Sequence, residues 1–255
     1  MNETVQMLLI ICPLVFFAGV VDAVAGGGGL ISLPAYLAAG LPPHMAIATN
    51  KVSSSCGTLV ATLRFMLGRK IHYVSALVSA AAALVGSYFG AQLNMMLEEK
   101  YLSYVLIVLL PVIAVFLLCK RDFGERDRAV ELTRAKMLIY SVLAGLVVGC
   151  YDGFFGPGTG TFLILAYTGL IGFDLVTASG NAKVVNLAAN AAALTTYAFS
   201  GKVVWLLGLT AALFGIAGNW IGSGLALKKG GKIIRPMFFV VLVLLLVKII
   251  VDLIG

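Results

Sequence analysis

Long apolar segments recur from one end of the chain to the other, and short clusters of charged residues separate them. Hydrophobic residues make up 61% of the 255 positions and charged residues only 11%, whereas roughly 25% of a soluble domain is charged. A helix needs about 20 apolar residues to cross a bilayer. A transmembrane barrel would instead need alternating strands of about ten residues. The sequence therefore predicts an all-α polytopic membrane protein.

Ten apolar segments are predicted in two sets of five, and a charged stretch from Lys120 to Lys136 divides the sets. In both sets the second segment is short and opens with glycines. The first set lies at 5–24, 26–42, 46–67, 72–96 and 101–119. The second set lies at 137–155, 158–172, 175–200, 203–227 and 233–254.

The two halves share rare residues in the same order. The stretch from Asp22 to Gly28 aligns with Asp152 to Gly158 at an offset of 130, and Lys51 aligns with Lys183 at an offset of 132. A single two-residue slip between the Asp and the Lys reconciles the two offsets, and similarity in the same order at a nearly constant offset indicates a repeat. We infer a duplication, with a first repeat at 1–119, a charged cytoplasmic loop at 120–136 and a second repeat at 137–255.

Five crossings per repeat would make the second repeat enter from the opposite side, which defines an inverted repeat. The distribution of Lys and Arg supports this topology, because inner loops carry an excess of positive charge. With both termini outside, the loops hold twelve such residues inside and two outside; re-entrant second segments would change this to nine against five. The inner group is Arg69, Lys70, Lys120, Arg121, Arg126, Arg128, Arg134, Lys136, Lys228, Lys229, Lys232 and Arg235, and the outer pair is Lys100 and Lys202. Whether the short second segments span fully stays open.

Two kinds of glycine pattern occur, and they predict different roles. Gly26 to Gly29, and the glycines and proline from Gly153 to Gly160, predict broken helices, because glycine permits unusual φ and proline lacks a backbone donor. Unwound backbone at membrane depth is tolerated only inside protein or along a wet cavity. The pairs Gly86/Gly90 and Gly218/Gly222 instead predict close helix packing.

Four charged residues lie inside apolar segments, where a charge is costly and a functional role is expected. They are Asp22, Lys51, Asp152 and Lys183. One interpretation is that each lysine pairs permanently with the aspartate of its own repeat or extends to an interface. The other is that the two lysines converge near the midplane and, with helix N-termini exposed at the breaks, form an anion site.

The second interpretation defines a candidate substrate site. Its expected members are the lysines, polar residues near them and glycine amides from the two breaks: Lys51, Lys183, Asn50, Asn181, Asn186, Ser54, Gly28 and Gly158, with Ser53 and Asn190 as further polar neighbours. Asp22 and Asp152 are expected either to couple transport to a proton or cation or to orient the lysines.

The sequence gives little support for an enzyme, a cofactor or a metal site. The glycine runs are not followed by G-K-[S/T] and lack the strand-before context of a phosphate-binding loop, and neither H-E-x-x-H nor G-x-S-x-G occurs. The net charge of +7 is concentrated in three loops, so it does not predict a nucleic-acid partner. The expected partners are the lipid bilayer and a small solute; a homo-oligomer is compatible with the sequence.

Several of these motifs resemble the TauE/SafE family of sulfite exporters, also called the TSUP family, and in particular its YfcA-like members. The matching stretches are Asp22 to Gly29, Ala48 to Lys51, Tyr151 to Gly158 and Asn181 to Asn186. The resemblance implies a secondary transporter of a small sulfur-containing or organic anion in the bacterial inner membrane, and it leaves the solute and the direction of transport open. An anion channel or a membrane scaffold without transport are the alternatives.

Overall fold

The computed structural model describes residues 3–98 and 132–234, together with 236, 237 and 240, and this part is helical without any strand. The first predicted repeat, 1–119, contains α1 (Glu3–Ala25), α2 (Gly29–Ala38), α3 (Pro43–Leu67) and α4 (Tyr73–Met96). The second contributes α5 (Arg134–Phe154), α6 (Thr159–Ala166) with a following π-helical turn (Tyr167–Ile171), α7 (Leu175–Phe199) and α8 (Trp205–Lys229).

Helices occur at eight of the ten predicted segments. The segment predicted at 101–119, and most of that at 233–254, lies outside the described residues. Within the described part, four helices are long and apolar enough to cross a membrane, namely α1, α4, α5 and α8. Helices α3 and α7 have 25 residues each, and buried polar side chains along their length keep them out of this group.

The described helices of the two predicted repeats interlock instead of lying side by side. Helix α4 packs along α5 of the other repeat, and α8 packs along α1; α3 and α7 meet each other between these pairs. Small residues permit the close approach: a Cβ on Gly86 would lie 2.2 Å from the carbonyl oxygen of Leu146, and one on Gly218 would lie 2.1 Å from that of Phe16. The predicted packing role of these glycines is therefore confirmed.

The glycine runs interrupt the helices at matching places in the two repeats. Helix α1 ends at Ala25 and α2 begins at Gly29, while α5 ends at Phe154 and α6 begins at Thr159. Gly26 has a φ of +79° and Gly158 a φ of +84°, a region that L side chains rarely adopt. The predicted unwound backbone is therefore confirmed at both runs.

The two breaks also touch each other. A Cβ on Gly26 would lie 2.2 Å from the backbone carbon of Gly160, so the chain passes here only because both residues lack a side chain. Gly29 similarly lies against the backbone of Pro157. This contact brings the first turns of α2 and α6 together between the two repeats.

Candidate functional site

Two buried ion pairs lie beside the helix breaks. Lys51 on α3 is 3% exposed, and its Nζ lies 2.7 Å from Oδ2 of Asp152 and 2.7 Å from the Asp152 carbonyl oxygen. Lys183 on α7 is fully buried; its Nζ lies 2.7 Å from Oδ2 of Asp22 and also donates to the Asp22 carbonyl oxygen. Each lysine thus binds both the carboxylate and the backbone of one aspartate at the end of a broken helix.

Both pairs join one repeat to the other. The interpretation that each lysine pairs with the aspartate of its own repeat is wrong: Lys51 contacts Asp152 and Lys183 contacts Asp22. The reason is the interlocking of the repeats, because the breaks meet at the interface and each break then faces the third helix of the other half. The ion pairs therefore link the two halves of the protein.

A cavity lies between the breaks and these ion pairs. The space between its lining atoms amounts to about 520 Å³, and part of that space is open to the surroundings of the protein. Charged groups at its wall are Lys51, Asp22 and Asp152, and backbone from both glycine runs forms another part of the wall. The remaining polar lining comes from α2, α3, α6, α7 and α8: Ser32, Asn50, Ser53, Ser54, Thr58, Thr159, Asn186, Asn190 and Asn219.

Most of the residues predicted for the site line this cavity, and three do not. Nine of the twelve are at its wall: Lys51, Asn50, Asn186, Ser54, Gly28, Asp22, Asp152, Ser53 and Asn190. Lys183, Asn181 and Gly158 are absent from the wall. Lys183 reaches the cavity only through its partner Asp22, whose side chain is 15% exposed.

Asn181 has a structural contact away from the cavity. Its Oδ1 accepts a hydrogen bond of 2.8 Å from the backbone N–H of His72, the residue before α4. The corresponding residue of the first repeat, Thr49, accepts through Oγ1 a bond of 3.0 Å from the N–H of Val204, the residue before α8. Both contacts satisfy an N–H that a helix start leaves without a partner, and both again connect the two repeats.

The cavity also contains polar residues that sequence reasoning did not place there, and Asn219 is the clearest. Its Nδ2 donates to the Gly215 carbonyl oxygen at 3.0 Å, whereas its buried Oδ1 has no hydrogen-bond partner among the residues that the structure describes. A Cβ on Gly57 would lie 2.4 Å from this Nδ2, so the amide occupies the space that the glycine leaves. The sequence does contain a signal for this residue, because a polar Asn lies between Gly218 and Trp220 in an otherwise apolar segment.

The starts of α2 and α6 present free backbone donors at the cavity. The N–H groups of Gly28, Gly29 and Gly160 make no backbone hydrogen bond to any residue in the described ranges, and all three residues line the cavity. Unpaired N–H groups at a helix start carry partial positive charge and attract anions. The two helix starts therefore add positive potential to a site whose lysines are balanced by carboxylates.

A family model for the sulfite exporter TauE/SafE matches residues 11–249. The chain belongs to the TauE/SafE family. The family is described as one of sulfite exporters, and the relatives given below are named as probable membrane transporters. The protein is therefore a member of a membrane transporter family. The resemblance predicted from the motifs is confirmed. No solved structure gives a significant match to this chain.

Three bacterial relatives cover nearly the whole chain. The probable membrane transporter protein YfcA of Escherichia coli strain K12 is 36% identical over 98% of this chain and 95% of its own length. A probable membrane transporter protein of Haemophilus influenzae is 33% identical over 99% of this chain and 98% of its own. The probable membrane transporter protein ORF9 of a Sinorhizobium species is 34% identical, over 93% and 90% respectively.

Proposed function

We propose that the protein is a secondary transporter of a small anion, such as sulfite or a sulfonate, in the bacterial inner membrane. The proposed topology has ten crossings in two inverted repeats, 1–119 and 137–255, joined by a cytoplasmic loop at 120–136. The sulfite exporter description of the family supports the solute class. The unpaired N–H groups at the two helix starts beside the cavity independently support an anionic solute.

The observation that carries the proposal is the pair of buried ion pairs that connect the repeats beside a cavity lined by two broken helices. Broken helices at a repeat interface are where secondary transporters bind solutes, with helix N-termini directed at anionic groups. In this site the donors are the N–H groups of the breaks and the side chains of Asn50, Asn186 and Ser54.

The charge balance of the cavity suggests how transport is coupled. Two lysines and two aspartates cancel, so the resting site carries no net charge for an anion to bind. A proton on Asp152 or Asp22 would leave an ammonium uncompensated, and a bound anion would then restore neutrality. Anion and proton would therefore bind together, as expected for a proton-coupled carrier.

The same contacts support the proposal that the protein works by alternating access. Each ion pair joins one repeat to the other, so a rocking motion of the repeats must break or rearrange the pairs. Protonation and anion binding weaken the same contacts and so favour that motion. A ligand shifts such an equilibrium only by its different affinity for the two states.

A thermal-shift panel tests the proposal, because a solute that prefers the folded state raises the melting temperature. The panel consists of sulfite, sulfate, thiosulfate, small sulfonates and small carboxylates at matched ionic strength, with chloride as the reference. We expect at least one sulfur oxyanion or organic acid to stabilise the protein in a saturable manner. Absence of stabilisation by every anion would contradict the proposal and favour a scaffold without transport.

A further inference from the structure

The ammonium group of Lys51 has no hydrogen left for a solute. Its three acceptors are Oδ2 and the carbonyl oxygen of Asp152, both at 2.7 Å, and Oδ1 of Asn190 at 3.0 Å. A lysine side chain has three donor hydrogens and no acceptor. In this state of the protein, Lys51 can therefore act on an anion only through a neighbouring group.

Asn190 and Asn186 form a chain of hydrogen bonds that leads from Lys51 to the cavity. Because the ammonium can only donate, it fixes which end of the Asn190 amide is the oxygen. The Asn190 Nδ2 then donates to Asn186 Oδ1 at 3.1 Å, which fixes the orientation of Asn186 as well. Lys51 therefore orients Asn190, and Asn190 in turn orients Asn186.

This chain of hydrogen bonds ends on a donor that has no partner in the described part of the protein. No hydrogen bond from Asn186 Nδ2 is found in the described part of the chain, and Asn186 lines the cavity while being only 6% exposed. A charged donor at one end polarises successive hydrogen bonds, by roughly 10–30% per bond. The Asn186 Nδ2 is therefore a strengthened donor at the cavity wall.

The other half of the protein lacks this arrangement. At the offset of 132, the residues that correspond to Asn186 and Asn190 are Ser54 and Thr58. Among the described residues, Lys183 donates only to the two acceptors of Asp22 and makes no hydrogen bond to Ser54 or Thr58. Although the ion pairs are pseudo-symmetric, within residues 3–98 and 132–234 Lys51 is connected to a cavity-facing amide and Lys183 is not.

We propose that the Asn186 Nδ2, held and polarised by Lys51 through Asn190, is a specific donor to the transported anion and makes the binding site asymmetric. This assignment rests on the proposed function, since it concerns how that anion is held. Asn186 is the binding residue, and Asn190 is a positioning residue that acts through it. Lys183 and Asp22 form the structural counterpart of this arrangement in the other half.

The test is sulfite binding to purified full-length protein, measured by calorimetry for the wild type and for variants of the two amides. Asn186→Leu removes the terminal donor, and Asn190→Thr substitutes the residue type that the first repeat has in Thr58. Each should weaken sulfite binding by about tenfold or more, the loss expected for one hydrogen bond to a charged group. Thr195→Val is the matched control, because Thr195 is an exposed residue of α7 that donates only within its own helix.

Two further variants separate a relay from a general packing effect. In the double variant Asn186→Leu/Asn190→Thr, residues acting in series should lose no more than the larger single loss, whereas independent contacts should multiply to about a hundredfold. Asn186→Asp keeps the acceptor for Asn190 and replaces the donor with a carboxylate. It should therefore lose sulfite binding. Because Asn186 is only 6% exposed, the unpaired carboxylate should also lower the melting temperature measured without sulfite.

The outcomes distinguish this proposal from the broader one. If the wild type does not bind sulfite, the proposed function and the relay both fail. If the wild type binds sulfite but Asn190→Thr binds equally well, or the two single losses multiply in the double variant, only the relay is refuted. Full sulfite binding by Asn186→Asp would refute it as well.

Discussion

The pairing of Lys51 with Asp152 predicts a specific pattern of stability in single and double variants. Lys51 is 3% exposed and Asp152 is 2% exposed, so removal of either charge leaves the other buried without a counterion. Breaking a buried pair in this way costs about 3–5 kcal/mol. For a chain of this size, that loss corresponds to a fall in melting temperature of roughly 6–20 °C.

The double variant Lys51→Gln/Asp152→Asn should recover most of this loss, because no charge is left unpaired and the amides can still hydrogen-bond. The double variant Lys51→Gln/Asp22→Asn should be less stable than either of its single variants, because it leaves Asp152 and Lys183 both unpaired. The two doubles have the same net charge and differ only in which contact they preserve. Lys202→Gln, at an exposed lysine, serves as the control for loss of one positive charge.

The assay is thermal unfolding in detergent, and size-exclusion chromatography or intrinsic fluorescence measures the folded fraction at each temperature. Preferential recovery in the Asp152 double would support pairing between repeats. Equal recovery in both doubles, or recovery only in the Asp22 double, would refute it, since the contacts in the structure would then not be those that stabilise the protein.

Three further predictions address topology, the helix break and the contacts between repeats. Single cysteines at Arg69 and Lys229 should be labelled from the same side of the membrane and one at Glu98 from the other; labelling of Lys229 together with Glu98 would contradict the inverted topology. Gly28→Leu should abolish transport, because a Cβ there would already lie 2.5 Å from Asp22 Cβ. Membrane insertion should be preserved, because it depends on segment hydrophobicity. Normal flux would contradict a role for this glycine in the solute site. Asn181→Leu should destabilise the protein by about 1–3 kcal/mol, because it leaves a helix-start N–H unpaired; an unchanged melting temperature would refute this contact.

The helices and their interruptions were predictable from the sequence because the relevant signals are local. Apolar segments of spanning length define where helices run, and the runs at Gly26 and Gly156 define where they stop. The observed bounds of α2, Gly29–Ala38, are shorter than the predicted segment 26–42. The first three positions form the break, and the chain after Ala38 turns at Gly40, which has a φ of +92°.

The partners of the lysines were not predictable in the same way. Duplication shows that Lys51 and Lys183 occupy equivalent positions, but it leaves open whether an equivalent pair forms within a repeat or between repeats. That choice depends on how α4 and α8 interlock with the opposite halves, which is tertiary information. Asn181 illustrates the same limit: its position beside Lys183 suggested a solute contact, whereas its Oδ1 accepts from His72 in the other repeat.

The most direct measurement is sulfite flux into proteoliposomes that contain the purified protein, with an imposed pH gradient across the membrane. We predict saturable flux that responds to the size of the pH gradient, is accelerated by unlabelled sulfite on the opposite side, and is lost in Lys51→Gln. Large conductance that does not saturate with sulfite would show a channel. Absence of sulfite flux under every gradient would contradict a sulfite carrier altogether.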